Sequence, residues 1–131
     1  MRIRTTVAAV VAAASSLVLA APHAHAATGD FNVYTTDPGD PAAFAWWHPY
    51  GEHWGVCDDE KDGKRAIAQL KDLDAGVQYG LVDDTGYDNT CAAAGNDFNI
   101  AEGHRIALRV CLRDGALGDF SYCSAWKYGT A

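Results

Sequence analysis

The chain has 131 residues, 49% of them hydrophobic, and seventeen acidic residues against ten basic ones leave a formal net charge of −7. That length fits one domain. The acidic balance argues against nucleic acid and anionic membranes as partners, because phosphate demands the opposite sign.

Arg2 and Arg4 precede an apolar run, Val7 to Ala21, that ends at Pro22. Ala24-His25-Ala26 then places small residues at the −3 and −1 positions of a signal-peptidase site. Residues 1–26 therefore read as a secretory signal peptide rather than a membrane span, for which the apolar run is short. Removing them takes two basic residues and no acidic one, so residues 27–131 carry eight basic against seventeen acidic residues, a net −9. With no second apolar segment, the expected product is a soluble extracellular domain whose four cysteines meet an oxidising compartment.

Beyond the signal, period-two apolar runs alternate with turn residues. The expected strands are 31–36, 42–47, 52–58, 65–71, 77–83, a poorly defined one near 98–100, 105–113 and 119–128. Asp37-Pro38-Gly39-Asp40-Pro41, Asp62-Gly63, Asp74-Ala75-Gly76, Thr85-Gly86 and Asp114-Gly115 supply the turns. Only Lys64–Lys71 competes as a helix, and it lacks a convincing cap. Many short antiparallel strands in one small domain read as a β-sandwich, immunoglobulin-like or jelly-roll-like.

Register favours one of three possible disulfide pairings. Ile106, Leu108, Val110 and Leu112 share one face, as do Phe120, Tyr122, Trp126 and Tyr128. A hairpin folded about Leu117 sets Cys111 opposite Cys123, Leu108 opposite Trp126 and Ile106 opposite Tyr128. Cys57 is then left for Cys91. The more apolar faces predict a core of Val56, Ile67, Leu81, Ile106, Leu108, Val110, Leu112, Tyr122 and Trp126.

Strand alternation also sorts the loops. The turns at 37–41, 59–63, 84–88 and 114–118 should gather at one strongly acidic end, with Trp47, His48, Tyr50, Glu52, His53, Asp72, Asp74 and His104 at the other. A divalent cation or a basic partner would favour the acidic end. Asp58, Glu60 and Asp62 followed by Gly63 echo the start of an EF-hand loop, but the twelfth position is Gln69 and no helix flanks the run. The remaining option is calcium held by Asp58, Glu60, Asp62 and Asp84, set against a plain solvated Asp-Gly turn; no other cofactor is expected. His48, His53 and His104 lack the spacing of a chelate. Glu102, His104 and Arg105 are residue types of a secreted ribonuclease, without a second base or a basic substrate patch.

Aromatics offer the clearest hint of recognition. Trp46, Trp47, Tyr50 and Trp54 crowd into nine residues, and alternation forces Trp46 and Trp47 onto opposite faces. Trp47, His48 and Tyr50 are the expected recognition residues at the far end. Trp126-Lys127-Tyr128 resembles the aromatic-basic-aromatic triplet of small secreted microbial amylase inhibitors, which carry it in an exposed turn; here the strand pattern points Trp126 and Tyr128 inward, and the cysteine spacing differs. A broader resemblance rests on Tyr50-Gly51-Glu52-His53-Trp54-Gly55-Val56-Cys57-Asp58, Asp62-Gly63-Lys64, Ala66-Ile67-Ala68-Gln69-Leu70, Arg109-Val110-Cys111 and Tyr122-Cys123-Ser124-Ala125-Trp126. These segments are similar to a group of small secreted actinobacterial proteins with four cysteines, generally of unassigned function. The resemblance implies a secreted β-domain with paired cysteines and assigns no catalytic or binding residue. The sequence reading is thus a secreted, non-enzymatic module that binds an extracellular protein or glycan, with an inhibitor of a secreted hydrolase, then a small hydrolase, as alternatives.

Overall fold

The computed structural model describes residues 29–84 and 90–131; the expected signal peptide and most of the 84–88 turn lie outside them. In chain order the strands are β1 Phe31–Tyr34, β2 Ala43–His48, β3 His53–Asp58, β4 Lys64–Asp72, β5 Val77–Asp83, β6 Cys91–Ala93, β7 Arg105–Asp114, β8 Phe120–Ser121 and β9 Lys127–Thr130. One sheet runs β1-β2-β3-β6 and the other β5-β4-β7-β8, with β9 also on β7; every pairing is antiparallel. The chain crosses between sheets after β3, β5 and β6, which gives the Greek-key connectivity of an immunoglobulin-like sandwich.

Size complementarity fills the space between the sheets. Trp47 and Trp54 come from the first sheet and lie in one core with the alanines Ala66 and Ala68 and with Leu70, Ile106, Leu108, Val110 and Leu112 from the second. Combining large and small side chains in one core is how two layers reach close packing. Trp47 also satisfies its indole, donating from Nε1 to the Thr130 carbonyl at 3.2 Å.

The disulfides are Cys57–Cys91 and Cys111–Cys123. The first joins directly opposed residues of β3 and β6. Cys111 is buried on the outward side of β7, opposite Ile67 of β4. Ile67 is therefore buried without belonging to the inter-sheet core. Disulfides of this kind belong to an oxidising environment, and among the described residues no helix is long and apolar enough to cross a membrane.

Three expectations need correction. The strand near 98–100 is β6 instead, whose Cys91-Ala92-Ala93 offers little β-propensity and is held by the edge of β3 and by the disulfide. Ile100 is buried in a loop, its N–H taken by the Glu52 carboxylate at 2.6 Å. The last strand splits. Leu112 faces Ser121, yet Leu108 faces Lys127, so two extra residues enter on the returning side, and Tyr122 takes the left-handed conformation at φ 49°. The shift moves Ile106 opposite Gly129 and turns Trp126 and Tyr128 outward. Tyr122 is accordingly exposed, Trp126 half-exposed and Leu81 half-buried, whereas the other predicted core residues are buried.

Candidate functional site

Alternation decides what each sheet shows to solvent. On β1 and β2, Phe31, Val33, Ala43, Ala45 and Trp47 face the core, which turns Asn32, Tyr34, Phe44, Trp46 and His48 outward. The hairpin register sets Tyr34 beside Phe44 and Asn32 beside Trp46. Tyr34, Phe44 and Trp46 consequently form a row. Ring centroids are 5.9 Å apart from Tyr34 to Phe44 and 6.2 Å from Phe44 to Trp46, with tilts of 35° and 45°.

The row is held from below by a glycine. Trp46 lies opposite Gly55 on β3, and a Cβ at that glycine would sit 2.2 Å from the Trp46 ring and 2.6 Å from the Ala92 carbonyl oxygen. A side chain at that position would collide with both the indole and the neighbouring backbone, so this close approach of Trp46 to β3 requires glycine. Polar groups border the rings. Asn32 Nδ2 donates to the Tyr34 hydroxyl at 3.3 Å, and His48 Nδ1 meets the Asp30 carboxylate at 2.9 Å. Tyr34 is 51% exposed, while Phe44 and Trp46 are half-buried.

The expected recognition residues do not converge. Trp47 is wholly buried, a core residue and no part of any surface site. His48 points outward beside the aromatic row, and Tyr50 stands nearly free in the β2–β3 turn at 91% exposure. Tyr34 and Phe44 were passed over in the sequence. Their signal was the turn 37–41, whose centre at Gly39 gives the observed hairpin register.

Of the four expected calcium ligands, Glu60 is exposed and the other three meet different partners. Asp58 is buried; its Oδ1 accepts the Glu60 N–H at 3.1 Å and its Oδ2 has no hydrogen-bond partner. Asp62 accepts the Lys64 N–H, and Asp84 stands 3.8 Å from Arg65. Among the described residues no three His, Cys, Asp or Glu side chains are grouped to hold an ion. Burial, with Asp62, Asp83 and Asp59 nearby, pushes the Asp58 carboxyl up to about 6. Among the described residues the two-ended arrangement holds: Asp58 lies beside Ala43, its N–H reaches Asp83 at 2.9 Å, and Lys64 faces Asp114 at that end, while His48, His53, Asp72 and Ile106 mark the other.

At that other end, Asp72 and Asp74 fasten the β4–β5 turn to the start of β7. Asp72 accepts from Ala75 N and meets His104 Nδ1 at 2.9 Å; against the cost of burial these contacts hold its carboxyl below the usual range. Arg105 pairs with Asp74 at 2.7 Å. His104 and Arg105 are thus engaged as anchors, and Glu102 is exposed. A cleft of about 490 Å³ opens beside Trp54, Tyr79 and Phe98, whose rings pack on one another.

The fold is an immunoglobulin-like β-sandwich whose β1-β2-β3-β6 sheet carries a row of aromatic rings on its outer face. Comparison with protein-family models, with curated proteins and with solved structures finds no match for this chain.

Proposed function

We propose that the protein is a secreted, non-enzymatic binding module that holds an extracellular polysaccharide against the outer face of its β1-β2-β3-β6 sheet. The observation that carries this reading is the row Tyr34–Phe44–Trp46 lying on Gly55. Pyranose rings offer flat C–H faces that stack on aromatic rings, and neighbouring hydroxyls need hydrogen-bonding groups such as the Asn32 amide and the His48 and His53 imidazoles. A row of separate rings suits a linear polymer better than a single sugar. The signal sequence and the two disulfides fit a protein working outside the cell.

The inhibitor alternative rests on Trp126-Lys127-Tyr128. Those residues lie on or beside β9, against β7, rather than in a protruding turn, and Trp126 is occupied by two cations of its own chain. The hydrolase alternative draws on Glu102, His104 and Arg105, and the structure engages His104 with Asp72 and Arg105 with Asp74 where they fasten the β4–β5 turn. Affinity electrophoresis through gels containing neutral polysaccharides tests the proposal. The wild type should be retarded by at least one neutral glucan, Trp46→Ala should lose about tenfold or more in affinity, and Leu117→Ala should behave as wild type. Undiminished retardation of Trp46→Ala, or no retardation by any neutral polysaccharide, overturns it.

A further inference from the structure

The second sheet presents a face of a different kind. Arg65, Lys71, Arg105, Arg109 and Arg113 all occupy outward positions of β4 and β7, because Ala66, Ala68, Leu70, Ile106, Leu108, Val110 and Leu112 face the core. No outward position of β4, β5 or β7 carries Asp or Glu, in a chain where acidic residues outnumber basic ones seventeen to ten. Net charge concealed this face, and it corrects the expectation that the chain has no basic patch.

The cations are held in place by aromatic rings. The Trp126 ring lies under Lys71 Nζ at 4.2 Å and under the Arg109 guanidinium at 4.7 Å. Phe120 sits 6.0 Å from the Arg109 guanidinium and 5.7 Å from that of Arg113. Arg109 is fixed further by donating from Nε to Gln69 Oε1 at 2.6 Å. Arg65 and Arg105, toward the two ends, have carboxylate partners in Asp84 and Asp74. Lys71, Arg109 and Arg113 have none among the described residues. Stacking leaves the edge N–H groups of a guanidinium free, and a stacked guanidinium loses little freedom on binding an anion.

We propose that this face binds a polysaccharide bearing carboxylates, a uronate polymer, with Lys71, Arg109 and Arg113 pairing its acid groups. Charge complementarity selects a polyanion. The rings select a sugar: Phe120 is 40% exposed and Tyr128 47%, and a uronate ring brings both a carboxylate and an apolar C–H face to such a surface. An acidic peptide would leave those rings unmatched. The inference stands apart from the neutral-sugar reading, since it concerns the opposite sheet.

The test titrates the whole secreted protein with oligogalacturonate, its methyl ester, poly-glutamate and single-stranded DNA, at low and physiological salt. Oligogalacturonate should bind and weaken with salt, the methyl ester should lose at least tenfold, and poly-glutamate and DNA should bind more weakly than the uronate. Arg109→Gln and Arg113→Gln should each lose roughly tenfold while retaining wild-type far-UV circular dichroism. Trp46→Ala separates the two faces, because uronate binding that survives it but fails in Arg109→Gln belongs to the second sheet. Equal affinity for the methyl ester, tighter binding of poly-glutamate or DNA, or uronate binding indifferent to both arginine variants overturns the proposal.

Discussion

Replacing Asp58 by asparagine should stabilise the protein at neutral pH and leave its stability in acid almost unchanged. Asp58 is 3% exposed, and only one of its carboxylate oxygens has a hydrogen-bond partner, so ionising it in the folded state is costly. Its carboxyl titrates near 6 when folded, against an ordinary value of 3.8. Well below pH 3.8 both folded and unfolded chains hold the proton, and no ionisation penalty applies. Between 3.8 and 6 the unfolded chain releases it first, so stability falls as pH rises; above 6 the full penalty applies. The difference of roughly two units corresponds to about 3 kcal/mol, and asparagine keeps the acceptor for the Glu60 N–H, so a gain of about 1–3 kcal/mol is expected at pH 7. Asp37, Asp72 and Asp74 shift the other way and lose their contribution in acid, so the difference between variant and wild type isolates Asp58. Urea unfolding at pH 3.5, 5 and 7 measures it. An Asp58→Asn variant less stable than wild type at pH 7, or a variant-minus-wild-type difference that does not change with pH, would refute the reasoning.

Leu108→Ala removes a fully buried side chain from the centre of β7 and should cost about 2–5 kcal/mol in denaturant unfolding; a loss below about 1 kcal/mol would place that strand face wrongly. Cys57–Cys91 spans 34 residues and Cys111–Cys123 spans 12, so removing the first should cost about 4 kcal/mol and the second about 3 kcal/mol, with the reverse order contradicting the loop-entropy argument. Gly55→Ala drives a methyl group into the Trp46 ring and should cost about 1–3 kcal/mol while weakening neutral-glucan binding; a variant of wild-type stability and affinity would show that the ring does not rest there.

Much of this architecture was legible because alternation and turn chemistry agree. The turn about Gly39 and the hairpin about Leu117 set registers that predict the Cys111–Cys123 bridge and the loops that share an end. The returning half of the second hairpin was not legible. Tyr122 adopts a left-handed conformation that no residue type announces, and the extra residues there turn Trp126 and Tyr128 from the core to the surface. β6 was missed because an alanine strand carries no periodic signal, and its pairing depends on Cys57 being close by in space. The aromatic row needed three strands in register, so Trp46 stood out in the sequence while Tyr34 and Phe44 did not. The basic face was hidden by composition, because outward cations emerge only once the apolar side of β7 has been assigned.

The aromatic face is tested most directly by the indole signals of the four tryptophans in a ¹⁵N-labelled sample titrated with a soluble neutral glucan hexasaccharide. Trp47 and Trp54 are buried and Trp126 lies on the other sheet, so each reports on a different part of the molecule. The Trp46 indole should shift in a saturable manner together with backbone amides around Tyr34, Phe44 and Gly55, while Trp126 and its neighbours stay still. Shifts centred on Trp126, or a Trp46 signal unmoved at saturating sugar, would contradict the account.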